Sequence, residues 1–163
     1  MRGDAETISY EEEDTQKGKF LTFSLEYESY ALEIKYVTEI IRIQTITEVP
    51  ELPDYIRGII NLRGNIIPVM DIRIRFKKPF REYNDRTCVI VVDIKNVTVG
   101  VIVDSVSEVL TISEENIIKP PETLKGFSNK YIKGIGKVEN DVKLILDCDK
   151  LLNINEAEML SNI

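Results

Sequence analysis

Residues 55–62 read Tyr55-Ile56-Arg57-Gly58-Ile59-Ile60-Asn61-Leu62, and residues 131–138 read Tyr131-Ile132-Lys133-Gly134-Ile135-Gly136-Lys137-Val138. The shared Tyr-Ile-basic-Gly-Ile string recurs at a shift of 76, which also brings Val69 onto Ile145 and Asp71 onto Asp147. Upstream, a shift of 69 places Leu21 on Ile90, Phe23 on Val92, Leu25 on Ile94, Leu32 on Val101 and Ile34 on Val103. That register runs on through Val37 on Val106, Glu39 on Glu108 and Ile40 on Val109. Apolar matches alone are cheap between two β segments, but these two mixed strings are not. The chain is one unit written twice. The change of shift corresponds to a seven-residue insertion in the second copy, within Ser113–Asn129, where Pro120-Pro121 and Gly126 mark a loop.

Isoleucine and valine make up nearly a quarter of the chain, in short runs bounded by turn residues, which is the pattern of an all-β protein. Four hairpins are expected. Phe20–Leu25 and Tyr30–Ile34 flank Tyr27-Glu28-Ser29, and Ile59–Leu62 and Ile66–Ile72 flank Arg63-Gly64-Asn65. Cys88–Ile94 and Val97–Val103 meet around Lys95-Asn96, and Gly134–Val138 and Val142–Cys148 around Glu139-Asn140-Asp141. With the duplication, this predicts two pseudo-symmetric five-stranded β-barrels, residues 19–80 and 86–153. Each is too small to be comfortable alone, so they pack together on a shared apolar seam. Short helices are expected at Tyr36–Ile43, at Pro53–Ile56 and in residues 154–163, the last with Asn155 as N-cap before Glu156 and Glu158.

Composition narrows the chemistry. The 163 residues include no histidine, so no Ser-His-Asp triad, Cys-His dyad or His-bearing zinc site can form. Cys88 and Cys148 lie in separate apolar runs without CxxC spacing and read as reduced thiols. The net charge of −7 disfavours phosphate backbones and anionic lipid. It is uneven: residues 1–17 carry six acids and two bases, and read as a solvated, disordered acidic tail. Neither a membrane-length apolar stretch nor a signal-peptide core is present, so a cytoplasmic protein is expected.

The string Arg57-Gly58-Ile59-Ile60-Asn61-Leu62-Arg63-Gly64-Asn65-Ile66-Ile67-Pro68-Val69-Met70-Asp71-Ile72-Arg73 resembles the signature of the CheW family, the coupling proteins of bacterial chemotaxis. Val37-Thr38-Glu39-Ile40 upstream, and Val99-Gly100-Val101-Ile102-Val103-Asp104-Ser105-Val106 and Gly134-Ile135-Gly136 downstream, extend the likeness over residues 18–153. The resemblance implies SH3-like barrels and a non-catalytic adaptor without cofactor or metal. Its implied partners are the cytoplasmic tip of a chemoreceptor (a methyl-accepting chemotaxis protein) and the regulatory domain of the histidine kinase CheA. It implies recruitment to membrane-associated receptor arrays without membrane insertion. The absence of a receiver domain after the barrels sets the sequence apart from the CheV relatives.

Val37, Glu39, Val106 and Val109 occupy equivalent places in the two copies and suit a groove for an amphipathic receptor helix. The resemblance adds Ile40 and Gly100 to that receptor-binding set. Asn61, Arg63 and Gly64 form a coupling hairpin whose arginine offers a planar donor fork to a carboxylate. Gly58 and Gly134 are read as structural. Two other function classes each have a feature in their favour. Ile72–Arg81 alternates apolar residues with Arg73, Arg75 and Lys77, as a single-stranded nucleic-acid-binding barrel strand would. Asp71 with Asp147, or Asp93 with Asp104, could supply carboxylate pairs for acid–base catalysis. The adaptor reading is preferred to both.

Overall fold

The computed structural model describes residues 16–121 and 130–163. The expected tail, apart from Gln16 and Lys17, and residues 122–129 of the expected insertion loop lie outside the described residues. All four hairpins form, each with a two-residue turn: β1 (Lys19–Leu25) with β2 (Glu28–Glu33), β4 (Ile56–Leu62) with β5 (Asn65–Asp71), β6 (Cys88–Ile94) with β7 (Val97–Val103), and β10 (Ile132–Val138) with β11 (Asp141–Leu146). β3 (Val37–Arg42), β8 (Ser105–Thr111) and the short β9 (Ile117–Ile118) complete the strands.

Strand pairing does not follow the two contiguous halves. One sheet has the order β8-β1-β2-β11-β10-β9 and the other β3-β6-β7-β5-β4. The first hairpin of each copy has crossed into the sheet of the other, which corrects the expected barrels at 19–80 and 86–153. Under the 69 and 76 shifts the first five strands of one order turn into the second order. The registers agree residue by residue: Leu21 faces Val109 as Ile90 faces Ile40, and Ala31 faces Ile145 as Gly100 faces Val69. Both first-strand pairings and both second hairpins also carry a bulge at the same place. Each sheet is rolled up by the chain that follows its edge strand. Thr47 bridges Ile59, and in the other copy Ile118 pairs with Ile135.

The exchange puts two faces of each first hairpin to work. Alternate residues point into separate cores because side chains alternate along a strand. Leu21, Phe23 and Leu25 of β1 meet Ile90, Val92 and Ile94 of β6 in one large core between the sheets. Val89 and Val91 turn the other way into a small core with Ile60, Ile67, Val69 and Ile102, and Phe20 with Ala31, Ile112 and Ile145 forms its counterpart. Rings stack across the seam in the order Phe23, Tyr30, Phe76 and Tyr131, with neighbouring centroids 5.1–5.8 Å apart.

Three local expectations are corrected. Tyr36–Ile43 is a single 3-10 turn at Ile34–Tyr36 followed by strand β3, since β-branched residues there gain a ladder with β6. Pro53–Ile56 makes only a turn, closed by the Ile56 N–H donating to the Pro53 carbonyl at 3.0 Å. Ile72–Arg81 is not a strand: α1 (Ile72–Arg75) begins at Asp71, whose carboxylate accepts the Arg73 N–H at 2.9 Å. The C-terminal helix α2 (Ile154–Ser161) is present, but capped two residues earlier than expected. Asn153 and Glu156 form a reciprocal capping box.

Two arginines fasten these pieces. Arg73 is buried and holds Asp104 through two hydrogen bonds, Nε to Oδ1 at 2.7 Å and Nη2 to Oδ2 at 2.6 Å, while its Nη1 reaches Glu26 at 2.8 Å. The Glu26 N–H closes the ring onto Asp104 Oδ2 at 2.8 Å. Arg75 lies 4.1 Å from the Tyr55 ring centroid and 5.5 Å from that of Tyr131. It grips Glu156 with both terminal nitrogens, at 2.8 and 2.6 Å, so α2 is pinned over the seam. Burial pushes the Asp104 and Glu156 carboxyls up. The hydrogen bonds and charges of Arg73 and Arg75, together with the backbone N–H groups of Glu26 and Asn153, outweigh it, and both sit below the usual carboxylate range.

Removing Arg73 leaves Asp104 the Glu26 N–H and a 3.3 Å contact from the more exposed Arg81. Arg73→Ala is expected to cost about 3 kcal/mol in urea unfolding, the lower end of the range for breaking a buried ion pair from one side. Because Asp104 and Glu156 bind protons more weakly folded than unfolded, their contribution is complete above the unfolded values of about 3.9 and 4.3 and fades as pH falls through the lower folded values. Unfolding midpoints should therefore hold level at neutral pH and drop below about pH 4, with a smaller acid slope in Asp104→Asn.

Candidate functional site

The receptor-groove residues fall on the two outer strands. β3 ends the five-stranded sheet and β8 ends the six-stranded sheet, each with one side unpaired among the described residues. Val37 and Val106 are half-buried and pack against the core between the sheets. Ile40 and Val109, equivalent under the 69 shift, stand out at 42% and 52% exposure. A large aliphatic side chain at matching exposed places on two edge strands is not what folding alone requires. Edge strands are ordinarily blunted by charge, which here comes from Glu39 and Arg42 on β3 and Glu108 on β8.

Glu39 and Arg63, 24 residues apart in sequence, are brought together by the rolling of the five-stranded sheet. Arg63 Nη2 donates to Glu39 Oε1 at 2.6 Å and Oε2 at 2.7 Å. The hydrogen bond to Glu39 raises the Arg63 guanidinium further above its ordinary value. Arg63 and Gly64 both take positive φ, 51° and 87°, the geometry of a tight hairpin turn. Asn61 fixes the turn by accepting the Gly64 N–H at 2.8 Å. The Arg63 side chain is 71% exposed, so solvent and salt screen its bridge, which adds little to stability. That fork can be handed to a carboxylate on another protein at little cost. At the equivalent tip of the other sheet, Glu108 and Glu139 occupy the places of Glu39 and Arg63, and no such pair can form.

Three glycines have packing roles. A Cβ on Gly58, at φ 145°, would lie 2.2 Å from the Thr47 carbonyl oxygen, so the barrel-closing bridge needs glycine there. On Gly134 it would lie 2.9 Å from Ile117 Cγ2. Gly100 is buried in the middle of β7, and a Cβ would come within 2.6 Å of Val89 and 3.0 Å of Val69. Gly100 therefore has a packing role in the small core behind β3 and β6, and its place in the expected receptor set rests on the family resemblance.

The basic segment is also placed differently from the sequence reading. Arg73 and Arg75 are engaged internally, and Lys78 pairs with Glu28 at 2.9 Å. Asp71 accepts from Arg73 and from the Tyr83 hydroxyl at 2.7 Å, and Asp93 from Thr98 at 2.8 Å. With Asp104 held by Arg73, these carboxylates have structural partners. The alternation over Ile72–Arg81 did not reveal that Arg73 is buried. The usable signal was Asp71, a capping residue directly before the basic run.

The CheW-like domain model matches residues 19–156. The chain belongs to the CheW family. The chemotaxis protein CheW of Klebsiella aerogenes is 34% identical, over 96% of this chain and 95% of its own length. That of Bacillus subtilis is 35% identical, over 86% and 90% respectively. The crystal structure of the scaffolding protein TtCheW from Thermoanaerobacter tengcongensis is similar with a TM-score of 0.78 and 38% identity, covering 88% of this chain and 92% of that one. Family membership places the chain among chemotaxis adaptor and scaffolding proteins. No helix among the described residues is long and apolar enough to cross a membrane.

Gly100→Ala tests the packing assignment. Overpacking is expected to cost about 1–3 kcal/mol, read by denaturant unfolding. The reverse change at the matching position of the other copy, Ala31→Gly, should cost about 1 kcal/mol or less.

Proposed function

We propose that this CheW-family chain is a non-catalytic cytoplasmic adaptor that joins a chemoreceptor's cytoplasmic tip to the regulatory domain of the kinase CheA. The observation that carries this reading is the matched pair of exposed aliphatic residues, Ile40 and Val109, on the outer strands of two exchange-related sheets. With half-buried Val37 and Val106 beneath them, they offer anchors to an amphipathic helix read at helical spacing. Arg63, on the tip of a different hairpin, offers a separate, charge-based contact for a second partner. Two contact points of different chemistry on one rigid body suit an adaptor that passes a receptor's conformational bias to a kinase by differential binding. The adaptor would work in receptor arrays without entering the membrane. The nucleic-acid reading lacks its exposed basic strand.

The test is capture of a purified receptor signalling fragment and a kinase regulatory domain by the full chain. Ile40→Arg and Val109→Arg are expected to weaken receptor capture by about tenfold or more, the scale of a binding hot spot, with unchanged unfolding midpoints. Arg63→Glu should lower kinase capture by more than receptor capture, the smaller effect passing through its partner Glu39. Failure to bind either partner at tens of micromolar overturns the proposal.

A further inference from the structure

The two small cores end differently at their mouths. Where the chain enters β6, the Ile43 N–H donates to the Thr87 carbonyl at 3.2 Å; where it enters β1, the Ile112 N–H donates to the Gly18 carbonyl at 2.9 Å. Thr87 and Gly18 are equivalent under the 69 shift, as are Ile102 and Glu33, and Asp104 and Lys35. Over the five-stranded sheet the stretch Glu82-Tyr83-Asn84-Asp85 closes this mouth. Tyr83 packs on the core of Ile60, Val69 and Ile102, and its hydroxyl donates to Asp71 at 2.7 Å. Its ring meets that of Phe80 edge-on, with centroids 5.5 Å apart. A space of about 10 Å³ is left there. Over the six-stranded sheet no counterpart of Tyr83 packs on the core among the described residues. A cleft of about 860 Å³ lies instead above Phe20, Ile112, Ile117 and Ile145.

The rim of this cleft has an excess of positive charge, with Lys17, Lys19, Lys35 and Lys133 set against Glu33 and Glu114. Glu33 alone answers two of the lysines, in an ion pair with Lys133 and at 3.6 Å from Lys35. Lys17 and Lys19 meet no carboxylate among the described residues. We propose that the cleft binds an acidic peptide segment of a partner protein, with one aromatic ring on the apolar floor and carboxylates against the lysines. The molecule carries its own template for that fit, since a ring flanked by Glu82 and Asp85 covers the equivalent core in the other copy. Lys35 in the place of Asp104 makes this mouth the more receptive of the two to carboxylates. An aromatic anchor in an apolar pocket, ringed by polar groups that exclude water, is the usual anatomy of a binding hot spot. No lining residue belongs to the receptor groove or to the Arg63 hairpin, so this contact point is separate from both.

Titrating the isotope-labelled full chain with the end-blocked peptide Glu-Glu-Tyr-Asn-Asp-Glu tests this. Amide resonances of Phe20, Ile112 and Gly134 should shift together, with a dissociation constant of about 1 mM or tighter. Binding should weaken several-fold in about 0.5 M salt, where exposed charges are screened. Lys19→Glu combined with Lys35→Glu should weaken it about tenfold or more with an unchanged unfolding midpoint, and so should alanine in place of the peptide's tyrosine. No shift at these amides in about 5 mM peptide, or equal binding by the alanine peptide or by the doubly substituted chain, overturns the proposal. Shifts that follow protein concentration without peptide assign the cleft to a second copy, and tighter binding of octanoate than of the peptide assigns it to a small amphipathic anion. Either result overturns it too.

Discussion

Leu21, Phe23 and Leu25 on one hairpin, and Ile90, Val92 and Ile94 on its counterpart, have one place to go: against each other. Each hairpin is apolar on both faces, so it must be covered twice, once by the other hairpin and once by a sheet that curls over its back. A single copy of about 60 residues could cover one face only, and a domain of that size is marginal even when complete. Exchange answers the requirement, since each hairpin closes the other copy's sheet while its opposite face builds the seam.

The rest of the architecture follows from that arrangement. Because first hairpins occupy the middle of each sheet's order, the third strand of each copy is left on an edge, and β3 and β8 arrive at related places without any further instruction. Val37 and Val106 touch the seam and anchor the edges, while Ile40 and Val109 remain outside. The polar fasteners lie where symmetry fails. Arg73 and Arg75 sit on the helix after β5, and the equivalent segment after β11 has a 3-10 turn at Cys148–Lys150 instead. Tyr55 and Tyr131 are symmetric partners that flank one asymmetric arginine.

Much of this was legible in the chain because duplication leaves side-chain identity behind. The hairpins, the seam and the pairing of Val37 with Val106 come from apolar alternation and two mixed strings. The exchange was not legible, since a hairpin's residues say which faces are apolar and nothing about which copy of the sheet will cover them. Tyr36–Ile43 misled because Val37, Ile40 and Ile41 fit a helical stripe as well as a strand, and only the partner β6 decides between them. Ile72–Arg81 misled for the opposite reason. Alternation of apolar and basic residues describes a half-exposed strand unless a distant carboxylate, here Asp104, draws one arginine inside. Gly100 entered the receptor set by family likeness alone, and its packing role between Val89 and Val69 left no mark in the sequence pattern.

The exchanged pairing also bears on the order in which the ribosome delivers the chain. β1 and β2 leave first, but their sheet is completed by β8, β10 and β11, the last of which ends at Leu146. At about 5–20 residues per second, the first hairpin waits on the order of 6–20 s for its neighbours. The five-stranded sheet, complete once β7 has emerged, can assemble earlier. Its seam face then offers Ile90, Val92 and Ile94 as a template for the waiting hairpin. Cutting the chain between the copies would yield two fragments that each lack a central hairpin, so neither half is a folding unit and the nascent chain is committed to length before it is committed to shape.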